Sequence, residues 1–221
     1  MKLLLIDTSN RPMSIALTSD DEVLAELTTD SKQDHSSQLM PGIKSLFDQV
    51  SINKREIDGI VVAKGPGSYT GVRIGVTTAK TLAYALETDL YGVSSLKALA
   101  ATIENKDDRL LVPIFDARRD AVYTGVYRYI DGQLTTILED QYLSLDDLHV
   151  KLADLNQPYI YIGQDATKLA DKLNGHIVDH LPQAQVMKGL ITQPENVHVF
   201  VPNYIKLSEA ERNWLNQQNQ N

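Results

Sequence analysis

Two rhythms of apolar residues alternate along the chain: short unbroken runs and stripes at helical spacing. KLLLID, from Lys2 to Asp7, is a continuous run and reads as a buried strand. MSIALTS and EVLAELT flank the acidic pair Asp20–Asp21, which predicts strand, turn, strand. In HSSQLMPGIKSLFDQV, residues Leu39, Ile43, Leu46, Phe47 and Val50 fall on one helical face, with Pro41 near the start where a helix tolerates it. GIVVAK is the next buried strand. A glycine-rich loop then opens a helix over about Thr70–Leu86, LYGV is a short strand, and SSLKALAATI is a helix capped by Ser94 or Ser95.

The pattern restarts near Leu110. LLVPIFD and AVYTGVYRY are strands, the second rich in Val and Tyr, and Asp131–Gly132 signals a hairpin. SLDDLHVKLADL is a capped helix whose first-turn carboxylates suit the helix dipole. YIYIG is a strand and DATKLADKL a helix stopped by Asn174–Gly175. The order is β-β-β-α-β-α-β-α and then β-β-β-α-β-α, a mixed α/β architecture that suggests two related lobes, although no residue-level repeat links the halves.

Composition narrows the chemistry. The 221 residues carry a net charge of −8, which makes the chain alone a poor ligand for phosphate backbones. There is no cysteine, so disulfides, zinc thiolates and iron–sulfur clusters are excluded. The N-terminal apolar run is too short for a signal peptide and no stretch reaches the length of a membrane span, so the expected location is the cytoplasm, with no membrane partner.

AKGPGSYTGVRIGVTTAKTLAYAL, from Ala63 to Leu86, holds four of the twelve glycines. A phosphate-binding P-loop needs Lys-Ser/Thr after its last glycine, but Val72 and Arg73 follow Gly71. The dinucleotide pattern needs a glycine where Thr70 stands. Loop amides ahead of a helix can still cradle an anion. Gly71, Gly75, Ala79 and Ala83 form a ridge without bulk along one helix face, which admits close approach of another backbone. Internal glycine costs a helix roughly 1 kcal/mol against alanine, so Gly75 needs a packing reason. Two reasons stand open: burial within its own lobe, or a contact in which this helix and the one after His35 meet another protein.

IDTS near the N-terminus, HSSQLMP, GPGSYTGVRIG, DARRDAVY and PNYIK together resemble the bacterial TsaB (YeaZ) family, and the matches run from Leu4 to Lys206. The chain departs from the family at Asp120–Ala121, where Gly-Glu is usual, and at Tyr69, where Phe is usual. The resemblance implies the two-lobed fold of actin, hexokinase and Hsp70-type ATPases, with a ribonuclease H-like motif in each lobe. The expected boundaries are 1–105 for a first lobe carrying dimerisation helices and 106–206 for a smaller second lobe, with a helix at about 207–217 packing back on the first. The implied role is in N6-threonylcarbamoyladenosine (t6A) formation at adenosine 37 of tRNAs reading ANN codons. There the paralogue TsaD performs the transfer, TsaE supplies an ATPase, and TsaB is a non-catalytic partner of TsaD that forms homodimers when alone and meets tRNA only through the complex. Combined with the glycine ridge, this makes His35, Leu39, Ile43, Gly71, Val72, Gly75, Ala79 and Ala83 the expected partner interface.

Three further readings bear on chemistry. TsaD carries a His-x-x-x-His metal motif after a GV strand; here Ser95 and Leu99 stand at those places, and leucine has no lone pair for a metal. His176 and His180 share the same spacing, but Ile177–Val178 favour a strand, on which residues four apart lie ~13 Å from each other. No catalytic and no metal-binding residue is therefore expected. In the actin-like fold Asp7 matches the first phosphate-side aspartate, whereas the second turn, FDARRDAVY, has Asp116 but no glycine, and YIGQDA offers only Gly163 for an adenosine contact. Asp7 is thus the single candidate in a vestigial nucleotide cleft, with weak ATP or ADP binding at the TsaD interface left open; a strand-end turn cap is its other reading. The alternative function is an ATP-dependent phosphotransferase or ATPase on the same scaffold.

Overall fold

The computed structural model describes residues 1–30, 34–104 and 108–206. The helix expected at 207–217 and the lobe boundary expected at 105/106 lie outside the described residues.

The first lobe is built on β1 (Lys2–Asp7), β2 (Met13–Ser19), β3 (Glu22–Thr29), β4 (Gly59–Ala63) and β5 (Asp89–Val93), in the order β3-β2-β1-β4-β5. Helix α1 (His35–Val50) joins β3 to β4, α2 (Tyr69–Leu86) joins β4 to β5, and α3 (Ser95–Ala100) follows β5. The second lobe repeats the plan with β6 (Leu110–Asp116), β7 (Ala121–Ile130), β8 (Gln133–Ser144), β9 (Tyr159–Ile162) and β10 (His176–Val178), whose sheet order is β8-β7-β6-β9-β10. Helix α4 (Leu145–Leu155) and the short α5 (Gln164–Lys168) occupy the places of α1 and α2. In both lobes the first three strands form an antiparallel meander and the last two add in parallel. This duplicated sheet is the actin/hexokinase/Hsp70-like architecture that the resemblance implied.

The unbroken apolar runs are the strands buried on both faces. Leu4 and Ile6 of β1, with Ile60 and Val62 of β4, pack into the core shared with α1 and α2. Their neighbours Leu3, Leu5, Val61 and Ala63 point the other way, into a core closed by Ala184 and Met187. The second lobe divides likewise: Leu110, Val112 and Ile114 of β6 face Leu148 and Leu152 of α4, while Leu111 and Phe115 face Leu96 and Leu99 of α3. Helix α3 sits between the lobes, its Ala98 in a first-lobe core and its Leu96 in a second-lobe core.

Local signals hold at most boundaries. Ser94 caps α3 and Ser144 caps α4. Asp131–Gly132 closes β7 onto β8 with positive φ at both residues, as a two-residue type I′ hairpin requires. The helix read in DATKLADKL is five residues long, because Gly163 supplies no side-chain cap and the chain continues in tighter turns toward β10. The tail of the second half also behaves differently from the expected division. A 3₁₀ helix at Ala184–Leu190 covers the first sheet, Phe200 lies in the first-lobe core, and the Asn203 amide donates to the Lys64 carbonyl at 2.6 Å. Residues 184–203, placed by sequence in the second lobe, thus pack on the first.

Candidate functional site

The glycine loop links β4 to α2, and its task is close packing. A Cβ on Gly67 would lie 2.1 Å from the Ser9 carbonyl oxygen, one on Gly71 2.2 Å from the Thr8 carbonyl oxygen, and one on Gly75 2.3 Å from Thr8 Oγ1. The loop after β1 therefore lies directly on the start of α2, and Thr8 Oγ1 donates to the Gly71 carbonyl at 2.7 Å. Three of the loop's amides are already in use: Gly65 N donates to Ser95 Oγ, Ser68 N to the Ser9 carbonyl and Gly71 N to Ser68 Oγ.

This packing corrects the residue-level interface expected from sequence. Leu39, Ile43, Val72, Ala79 and Ala83 are core residues of the first lobe, and Gly71 and Gly75 are buried beside them. His35 Nε2 lies 2.9 Å from the Asn10 carbonyl oxygen and fastens α1 to the loop after β1. All eight are engaged within the chain, because the small-residue face of α2 turns toward β1 and β4. The outward faces of the two helices present other residues, among them Met40, Lys44, Thr77, Thr81 and Tyr84.

Asp7 takes its turn-capping reading. Its carboxylate is buried at the end of β1, where Oδ1 accepts from the Ser9 amide at 2.9 Å and the Ser9 hydroxyl at 2.7 Å. Burial pushes the Asp7 carboxyl above the ordinary carboxylate range, against the Ser9 hydrogen bonds and the nearby His35. The side chain does not line the cleft between the lobes.

That cleft is lined from the first lobe by Asn10 and the Gly67–Thr70 segment, and from the second by Phe115, Asp116, Arg118 and Tyr123; its volume is about 430 Å³. Its floor is tied by Asp165, which is 5% exposed: Oδ2 accepts from Asn10 Nδ2 at 2.9 Å and from the Asp116 amide at 3.1 Å, and Lys168 pairs with Oδ1. Gln164 Nε2 adds a second bridge to Asp30 at 3.1 Å. Beside it the β6–β7 turn holds Arg118, Arg119 and Asp120 in succession at φ of 65°, 57° and 54°. Three consecutive left-handed L-residues are costly, and they account for the glycine usual at position 120 in the family that this chain resembles.

Ser95 and Leu99 also have definite tasks. The Ser95 hydroxyl accepts from the Gly65 amide at 3.0 Å, its own amide donates to the Gly65 carbonyl, and Leu99 packs against Gly163 where a Cβ would come within 2.9 Å. His176 lies on β10, as its strand reading required. Among the described residues no group of three His, Cys, Asp or Glu side chains is placed to hold a metal ion, and no helix is long and apolar enough to cross a membrane.

Sequence reading missed Asn10, Phe115, Tyr123 and Asp165. Only Asp165 carried a local signal, an acidic residue in the first turn of a helix; that it meets Asn10 is a matter of tertiary folding.

Comparison with known proteins agrees with this architecture. Residues 22–184 match the family described as TsaD, tRNA N6-adenosine threonylcarbamoyltransferase. A solved Pseudomonas aeruginosa structure, described as an uncharacterized protein with similarity to peptidase YEAZ, superposes with a TM-score of 0.82 over 93% of this chain and 99% of that one, at 23% identity. The tRNA threonylcarbamoyladenosine biosynthesis protein TsaB of Escherichia coli is 30% identical over 74% of this chain and 71% of its own. That of Bacillus subtilis is 42% identical over 99% of this chain and 100% of its own. The chain therefore belongs to the TsaB family of tRNA threonylcarbamoyladenosine biosynthesis proteins, on a fold it shares with the TsaD transferase domain.

Proposed function

We propose that this chain is the non-catalytic partner of a TsaD-type threonylcarbamoyltransferase, acting in t6A formation by docking. The observation that carries the reading is the use of Ser95 and Leu99. Where the catalytic paralogue is expected to bear two metal-binding histidines, this chain has a hydroxyl spent on Gly65 and an aliphatic side chain packed against Gly163. The remaining acids near the cleft have structural duties. Asp7 caps its own turn and Asp165 ties the lobes together.

Docking falls to the outward face of α1 and α2. Their inward faces fill the first-lobe core, which leaves Met40 and Tyr84 at 49% and 66% exposure, with Thr77 and Thr81 exposed on α2. An equivalent helix pair on TsaD, packed across this face, would form a four-helix contact that favours one conformation of the transferase. The same face serves a second copy when TsaD is absent, and TsaE joins the assembled pair.

The test is co-elution with TsaD in size-exclusion chromatography. Thr77→Arg places a long cation in the middle of the exposed α2 face and should abolish the complex while leaving the melting temperature unchanged. Val150→Arg, on exposed α4 of the other lobe, should leave it intact. Wild-type affinity in the Thr77→Arg variant would remove this surface, and transfer of threonylcarbamoyl to tRNA by the purified chain alone would remove the non-catalytic reading.

A further inference from the structure

The mouth of the interlobe cleft collects side chains that neither the fold nor the docking face requires. Tyr69 and Tyr204 stack with ring centroids 4.9 Å apart and planes 26° apart, and the Arg73 guanidinium sits 5.0 Å from the Tyr69 centroid. Despite both contacts Tyr69 stays 50% exposed. Tyr123 meets Tyr142 edge to face at 5.8 Å, and Lys206 Nζ lies 4.5 Å above the Tyr142 ring. Tyr69 and Tyr123 wall both the main cleft and a smaller hollow of about 30 Å³ beside it, which Tyr204 and Lys206 complete. The two spaces thus form one trough with an aromatic wall. Arg118 lines the main cleft and Lys206 the smaller hollow. Among the described residues no carboxylate lies at ion-pair distance from the Arg118 side chain. On a chain of net charge −8, the trough sets two cations beside its tyrosines: Arg118 without a carboxylate partner among the described residues, and Lys206 held over the Tyr142 ring.

We propose that this trough holds a single-stranded segment of RNA, with an unstacked base against the Tyr69–Tyr123 wall and the flanking phosphates beside Arg118 and Lys206. Aromatic faces accept any base, and spaced cations follow a backbone; together they are the chemistry of single-strand recognition. A free nucleotide shares part of that chemistry. The strand is favoured because Arg118 and Lys206 belong to two adjoining spaces of one open trough, a spacing that suits successive phosphates of a chain, while the Gly65, Ser68 and Gly71 amides of the glycine loop are bonded within the chain. The inference rests on the t6A reading for the presence of RNA, but not on the docking face.

The experiment is fluorescence anisotropy with a labelled RNA stem–loop, a fully paired RNA duplex, and ATP as competitor, on the full chain alone and on its complex with TsaD. The stem–loop should bind at least one of the two forms more tightly than the duplex, and ATP should not displace it. Tyr69→Ala should weaken binding about tenfold, and Tyr69→Phe should retain it. Arg118→Glu and Lys206→Glu should each weaken binding and lower the salt slope by about 0.7, one phosphate contact on a single strand. Complex formation with TsaD, read by chromatography, should be unchanged in every variant, so that a failed docking face and a failed RNA site give different results. Absence of stem–loop binding by both wild-type forms, equal binding of the duplex, displacement by ATP, or affinities within twofold of wild type in the charge reversals would each overturn the proposal.

Discussion

Asn10 and Asp165, 155 residues apart in sequence, meet across the lobe boundary: the Asn10 amide donates to the buried Asp165 carboxylate at 2.9 Å. The same oxygen accepts the Asp116 amide, so one acid joins the loop after β1 to the end of β6. A hydrogen bond to a charged group contributes about 1.5–3 kcal/mol, and a buried carboxylate that loses a donor pays a desolvation cost as well. Asn10→Ala should therefore lower unfolding free energy by about 1–3 kcal/mol in urea denaturation. It should also speed amide exchange at the lobe boundary. In a cycle with Asp165→Asn the two changes should couple by at least about 0.5 kcal/mol; strict additivity would show that the contact holds nothing.

Gly71 and Gly75 pack on the two ends of one residue, Thr8, and this separates their substitutions. A Cβ at Gly75 meets the Thr8 hydroxyl, a side-chain atom, whereas a Cβ at Gly71 meets the Thr8 carbonyl, which is backbone. Alanine gains about 1 kcal/mol of helix propensity over glycine. Overpacking costs about 1–3 kcal/mol and should prevail at both sites. Gly71→Ala should be the more damaging. Adding Thr8→Ala should recover much of the loss in Gly75→Ala and little of that in Gly71→Ala, as read from thermal melts. Equal rescue of both would refute the assignment of the two contacts.

The same pair of glycines shows where sequence reading stops. The glycine and alanine ridge on α2 is plain from spacing, as are the buried runs of β1 and β4 and the strands β6 and β9, because period and composition are local properties. What the ridge faces is not local. Its two glycines meet a single threonine just after β1, and Thr8 looks like any turn residue in IDTS. The cleft was less legible still. Tyr123 reads as an ordinary strand tyrosine, and the return of Phe200 to the first-lobe core follows only once the second lobe has turned the chain back. The duplication of the sheet was hinted at by element order, but two lobes with the same topology need share no residues, since each position asks only for an apolar side chain of suitable size.

A partly buried polar triad predicts a pH signature. Asp140 on β8 accepts from the Ser94 hydroxyl and from the Tyr127 phenol, which joins the cap of α3 to the second sheet. Burial raises the Asp140 carboxyl above the ordinary carboxylate range, against the two hydrogen bonds. A raised carboxyl binds its proton more tightly in the folded state than in the unfolded chain. Its contribution is then fully present below the unfolded value near 3.8 and is lost as pH rises through the folded value. Asp140→Asn cannot titrate. The stability difference, wild type minus variant, should therefore fall as pH rises above about 4 and level off once the folded group has ionised. A difference that rises with pH over that window would mean that the site favours the charged form.

The β6–β7 turn supplies the last prediction. Arg118, Arg119 and Asp120 all have positive φ, yet they are not equally bound to that shape. The Arg118 amide donates to the Asp116 carboxylate at 2.7 Å, and Asp120 pairs with Lys172 at 2.6 Å, so each has a local reason to stay. Arg119 is exposed, between them. The left-handed conformation costs an ordinary L-residue about 1–2 kcal/mol, which glycine does not pay, although glycine loses more chain entropy on folding. The balance favours Arg119→Gly by about 0.5–1 kcal/mol, measurable as a higher urea midpoint with an unchanged slope. Asp120→Gly relieves the same backbone but gives up the Lys172 pair, so its gain should be smaller than that of Arg119→Gly. If Arg119→Gly instead lowers the midpoint, the arginine side chain holds the turn through contacts that outweigh its backbone strain.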